Sequence, residues 1–175
     1  RKLITIKNFV VFKFVMSYLS NVNFASNVVK GRIAETLIEE MFKKSGYQVY
    51  RFGYEAILQN ISQSNIIIKE SDTKDKIRSI PDFVVISPNG SIQLIEVKYS
   101  SDGELNKDKL KKYQEFWNEA RIILVSPKEP HFKISYISKF LEDGKLYPLE
   151  KDRFTSVSPE IVKKFSQVVK EYFKE

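Results

Sequence analysis

The chain has 175 residues, 42% of them hydrophobic, which is enough for one domain with a substantial core. It contains no cysteine, so a disulfide framework, a Cys-rich zinc site and a thiol nucleophile are excluded, and a reducing, intracellular compartment is the expectation. A net charge of +7 and a pI near 9.4 favour a polyanionic partner, of which nucleic acid is the commonest.

Residues 1–30 form an N-terminal extension. The stretch RKLITIKNFVVFKFVMSYLSNVNFAS is basic and apolar, but Lys7 and Lys13 interrupt the apolar run and no small-residue cleavage pattern follows, which argues against a signal peptide. Nothing approaches the roughly 20 apolar residues of a membrane span, so no membrane partner is expected. Two readings of the extension stay open: an extra element packed on the domain, or residues upstream of a natural start at Met16.

Residues 31–45, GRIAETLIEEMFKKS, place Ala34, Leu37, Ile38, Met41 and Phe42 at spacings of three and four, the pattern of an amphipathic helix, and Gly46 suits its end. Glu35 falls at the edge of the apolar arc, beside Phe42, where a carboxylate reaches inward or is simply solvated. YQVYRFGY then reads as a first strand. Residues 55–79 form a polar insertion containing the apolar patch NIIIK, and the charged tract before Pro81 reads as a loop at the mouth of any site formed by Asp82.

The stretch PDFVVISPNGSIQLIEVKYS, residues 81–100, is a hairpin with Pro88 and Asn89 as a type I turn and Gly90 in the left-handed position. Setting Ser87 opposite Ser91 pairs Ile86 with Ile92, Val84 with Leu94, and Asp82 with Glu96. Directly opposed residues have Cβ atoms about 5 Å apart, so the two carboxylates share one face, with Lys98 beside them. Phe83, Val85, Ile95 and Val97 take the other face, which predicts a strand pair largely buried on both sides.

Two carboxylates held this close repel unless a cation lies between them, and oxygen ligands suit a hard ion, Mg²⁺ or Mn²⁺. Such an ion binds a phosphodiester oxygen and acidifies bound water, while Lys98 orients that water or neutralises the phosphate. A salt-bridged strand end for Glu96 and Lys98, and a loop-closing role for Asp82, are the plainer alternatives.

Glu35 on a first helix, the pair Pro81-Asp82 and then Glu96-Val97-Lys98 after a hairpin resemble the PD-(D/E)xK, or restriction-endonuclease-like, nuclease superfamily. The resemblance covers about residues 30–126 and is most similar to the Holliday-junction-resolvase-like endonucleases of archaea. It implies an α/β fold with an αβββαβ core and a central mixed sheet flanked by helices. It also implies Asp82 and Glu96 as metal ligands completed by the Val97 carbonyl, Glu35 as a further ligand, direct or through water, Lys98 as the catalytic lysine, and often a homodimer. The longer segment before Pro81 and the carboxyl extension depart from the compact resolvases.

Residues 104–119, ELNKDKLKKYQEFWNE, read as a second helix with Leu105, Leu110, Tyr113, Phe116 and Trp117 turned to the core. Lys107, Lys111 and Lys112 give its surface a basic character suited to phosphate contact, and the resemblance adds Gln114. RIILVSP and HFKISYIS follow as strands, and a closing helix opens with Ser158 as cap and Pro159 at its first position. His131 reads as a loop residue outside the site. The expectation is one domain, residues 31–175, acting as a Mg²⁺- or Mn²⁺-dependent endonuclease, with DNA the first substrate. An RNA-cutting endonuclease and an inactive nucleic-acid- or protein-binding module of the same fold are the alternatives.

Overall fold

The structure, a computed structural model, describes residues 25–52, 73, 76, 77, 79–153 and 155–173. Residues 1–24 of the extension and almost all of the insertion at 55–79 lie outside the described residues. The first helix, α1, covers residues 25–44 and so takes in 25–30 as well as the stretch read from the sequence. Its end is a Schellman motif: Gly46 N–H donates to Lys43 O at 3.0 Å, Tyr47 N–H to Phe42 O at 3.1 Å, and Gly46 has φ +85°. The Phe42 and Tyr47 rings meet edge to face at 5.1 Å and fasten the chain's exit from the helix.

Six strands form one sheet in sequence order: β1 (Gln48–Arg51), β2 (Phe83–Ile86), β3 (Ile92–Tyr99), β4 (Arg121–Val125), β5 (Phe132–Tyr136) and β6 (Tyr147–Pro148). Every neighbouring pair is antiparallel except β3–β4, which is parallel. The described residues also form two helices, α2 (Ile137–Asp143) and α3 (Pro159–Tyr172), and the 3₁₀ segments Lys107–Tyr113 and Leu149–Lys151. The protein is therefore a mixed α/β fold whose six-stranded mixed sheet is flanked by helices. No helix among the described residues is long and apolar enough to cross a membrane.

The alternation of the strands sorts the two faces. Phe83, Val85, Ile95, Val97, Ile123, Val125, Phe132 and Ile134 meet Leu37, Ile38, Met41 and Phe42 of α1 and Val162, Phe165 and Val169 of α3 in the main core. A smaller cluster on the other face joins Ile122 to Leu110, Tyr113, Ala120, Ile137 and Phe140. Among the described residues that second layer centres on β4, with Leu94 of β3 at its margin. Burial of β2–β3 on both sides is accordingly not observed: Val84 and Ile86 are half-buried and Ile92 is 68% exposed.

The helix expected over 104–119 is a 3₁₀ segment from Lys107 to Tyr113 followed by turns. Asn106 caps it by accepting from Asp108 N–H at 2.8 Å. Leu110 and Tyr113, three residues apart, both enter the small cluster, and the eclipsed i,i+3 geometry of a 3₁₀ turn favours that pairing. Helix α2, which followed from no pattern noted in the sequence, extends directly from β5. The closing helix α3 is as expected, with Ser158 accepting from Ile161 N–H. His131, the single histidine, is buried, and its Nδ1–H donates to Ser126 O at 2.9 Å.

Two glycines in and beside α1 predict opposite effects. A Cβ at Gly46 would meet only ordinary contact, but its positive φ makes Gly46→Ala destabilising by about 1 kcal/mol. Gly31 is helical and a Cβ there meets nothing within 4 Å, so Gly31→Ala stabilises by about 0.5–1 kcal/mol. Urea melting of the two variants checks both signs.

Candidate active site

The turn Ser87–Ser91 closes as the sequence predicts: Gly90 N–H donates to Ser87 O and Ser87 N–H to Ser91 O, both at 2.9 Å. Gly90 has φ +84°. The ladder pairs Ile86 with Ile92, Val84 with Leu94 and Phe83 with Ile95. One further step brings Asp82 abreast of Glu96, on the face opposite the main core. There the ladder ends in a side chain: Asp82 Oδ2 accepts the Val97 amide at 2.7 Å. Phe52 N–H holds the Asp82 carbonyl from the β1 side at 3.0 Å. The approach to Pro81 is fastened by Trp117 Nε1–H, which donates to the buried Ser79 hydroxyl at 3.2 Å.

Glu96 is 2% exposed. Its Oε1 accepts from the Lys98 ammonium and from the Tyr113 hydroxyl, the latter at 2.5 Å. Its Oε2 is buried and has no hydrogen-bond partner among the described residues. A bare carboxylate oxygen in that position carries a desolvation cost that a cation would offset. The same environment acts on Asp82. Burial first, and the Glu96 charge second, push its carboxyl up to about 7, against the opposing pull of Lys98 and the Val97 amide.

Lys112 joins the group. Its Nζ lies 4.7 Å from the Tyr113 ring centroid and Lys98 Nζ lies 6.0 Å from it. Desolvation, followed by the Lys98 charge, holds the Lys112 ammonium below the usual lysine range, while Glu96 and Asp82 pull the other way. Two cations and two carboxylates therefore share one small volume around a phenol ring.

Among the described residues Glu35 does not join the Asp82–Glu96 pair directly. It sits on α1, on the main-core side of the sheet, and its Oε2 accepts from Arg32 and from Arg51, each at 3.0 Å. Its charge still reaches Asp82 as the last of the effects raising that carboxyl. Among the described residues no three His, Cys, Asp or Glu side chains converge closely enough to hold an ion together. Asp82 and Glu96 come together; Glu35 remains an outer charge.

The other sequence candidates separate in the same way. Lys107 points away from the site, its Nζ donating to Leu141 O at 2.9 Å and Glu142 O at 3.2 Å at the end of α2. Lys111 pairs with Asp108 at 2.6 Å on the surface, and Gln114 is exposed just past the 3₁₀ segment. Val97 contributes its amide, while its side chain lies in the main core. Tyr113 was read from the sequence as core only. Its signal was the hydroxyl, because a buried tyrosine, unlike phenylalanine, needs a polar partner.

The chain matches no protein-family model, and no curated protein matches it. Function is accordingly argued from the chemistry of the site.

The raised Asp82 carboxyl predicts a pH-dependent stability in metal-free protein. A carboxyl that takes its proton more readily folded than unfolded costs nothing at low pH. The cost develops as pH rises from about 4 and is complete above about 7. Asp82→Asn keeps an acceptor for Val97 N–H and removes the charge. It is expected to stabilise the protein at pH 8 by on the order of 2 kcal/mol, with little effect at pH 4, as followed by denaturant melts at the two pH values.

Proposed function

We propose that the protein is a divalent-metal-dependent endonuclease of the PD-(D/E)xK kind, hydrolysing phosphodiester bonds in nucleic acid, DNA first. The observation that carries this reading is the buried Glu96, with one oxygen saturated by Lys98 and Tyr113 and the other left bare beside Asp82. The order of α1, three strands, a helical crossover and β4 in parallel with β3 supports the αβββαβ core.

The donor set fits a hard cation. Asp82 and Glu96 would hold it, each through the oxygen not already engaged by a hydrogen bond, and the Val97 carbonyl shares the strand side of the amide that anchors Asp82. A bound Mg²⁺ or Mn²⁺ supplies Lewis acidity and an acidified water. Lys98 orients the attacking water and neutralises charge growing on the phosphate. In the hydrolysis a water oxygen would bond to phosphorus as the ester bond to the departing sugar oxygen breaks, the water giving up a proton to solvent and the departing oxygen taking one from it, to leave one phosphomonoester end and one hydroxyl end. Lys112 contributes a second positive charge for the phosphate, and Glu35 acts on the site through its field.

A non-catalytic binding module is the second reading, and the engagement of Glu35 by two arginines favours it, because among the described residues two carboxylates remain at the centre.

The test is cleavage of labelled single-stranded DNA, duplex DNA, a four-way junction and single-stranded RNA with Mn²⁺ or EDTA. Cleavage is expected only with Mn²⁺, and Asp82→Ala and Lys98→Ala are each expected to lower the rate by about 10²–10³-fold with binding retained. Binding with no cleavage of any substrate would replace the nuclease by the module. Preferential cutting of RNA would reassign the substrate.

A further inference from the structure

The 3₁₀ segment Lys107–Tyr113 carries one functional group that packing alone does not require. Tyr113 is 2% exposed and its ring packs with Leu110, Ala120, Ile122, Ile137 and Phe140. A phenylalanine would fill that volume equally well. The hydroxyl nevertheless reaches out of the cluster to Glu96 Oε1 at 2.5 Å.

We infer that Tyr113 is a positioning residue for a divalent cation at Glu96: by occupying Oε1 together with Lys98, it turns the bare Oε2 toward the ion. This inference rests on the metal-site reading above.

Three observations support it. Both donors fall on the same oxygen, so the carboxylate has one engaged and one open side rather than two half-engaged ones. The donors also differ in stiffness. Lys98 is a flexible stem with a partly exposed head, whereas Tyr113 is locked by the packing of its ring, so the rotation of the carboxylate is set by the phenol. Finally, the ring carries Lys112 at 4.7 Å, so one side chain orders the ligand and places the second cation. Groups that hydrogen-bond a metal ligand from behind typically change metal affinity by about 10–100-fold when removed.

The geometry also gives the crossover between β3 and β4 a purpose. The stretch from Lys107 to Trp117 is tied at both ends: Trp117 is bonded to Ser79, and Lys107 to the carbonyls ending α2. Tyr113 lies between these two ties, which restrict movement of its hydroxyl relative to Glu96.

The experiment is Mn²⁺ titration of the full chain, read by the electron paramagnetic resonance of free Mn²⁺ and by calorimetry. It uses unaltered protein, Tyr113→Phe, Asp82→Ala and, as a core control, Leu110→Val. Unaltered protein is expected to bind Mn²⁺, Asp82→Ala to lose binding, and Tyr113→Phe to bind at least about tenfold more weakly. Leu110→Val disturbs the same cluster and is expected to lower the melting temperature without moving the affinity. In cleavage assays Tyr113→Phe should raise the Mn²⁺ concentration for half-maximal rate and recover the full rate at saturation. Unchanged affinity in Tyr113→Phe, with Asp82→Ala defective, would overturn the positioning role alone. An equal loss in Leu110→Val would reduce Tyr113 to a packing residue. Failure of unaltered protein to bind Mn²⁺ would overturn the metal site and this role together.

Discussion

The closure of one turn governs the site. Ser87 and Ser91 bond across Gly90, and from that closure every residue of β2 and β3 inherits a face. A slip of a single residue would exchange the faces, sending Glu96 and Lys98 into the core among Ile38, Phe42 and Phe165 while Ile95 and Val97 turned to water. The burial of those two apolar side chains, worth roughly 1.5–3 kcal/mol each, thus fixes the register in which Asp82 and Glu96 become neighbours. The hydrophobic core on one side of the sheet holds an unfavourable charge pair in place on the other.

That charge pair works against the fold. Desolvation and mutual repulsion act together on Asp82, and two lysines within reach do not fully offset them. A protein selected for stability alone would place apolar or singly charged residues here. Perturbed carboxylates of this kind cluster at functional sites. The arginine pair at Glu35 shows the contrasting solution, in which a third carboxylate nearby is neutralised within the protein and left as an outer influence.

The parts of this arrangement that follow short-range rules were legible from the residues. The helix around Ala34–Phe42, the turn at Pro88-Asn89-Gly90 and the cap at Ser158 each depend on local spacing and backbone preference. The pairing of Asp82 with Glu96 followed by counting outward from the turn. What escaped depends on long-range packing. The 104–119 segment has helical spacing, but its geometry is set by Leu110 and Tyr113 reaching a small cluster over β4. Lys107 donates to the carbonyls that end α2, a contact across 34 residues of chain that local spacing does not reveal. The partners of Glu35 come from α1 and from β1, and which oxygen of Glu96 is engaged depends on a tyrosine 17 residues away.

The borders of the sheet carry a consequence of their own. Among the described residues β1 is one outer strand, four residues long, and its Arg51 is clasped by Glu35 and Glu39 at 3.0 and 2.6 Å. The other, β6, has two residues, one of them Pro148, which offers no amide hydrogen. Short, charged or proline-bearing margins discourage strand-to-strand addition by other chains. Glu35 therefore serves two ends: its charge reaches Asp82, and with Glu39 it anchors the arginine that guards an open flank of the sheet against unwanted polymerisation.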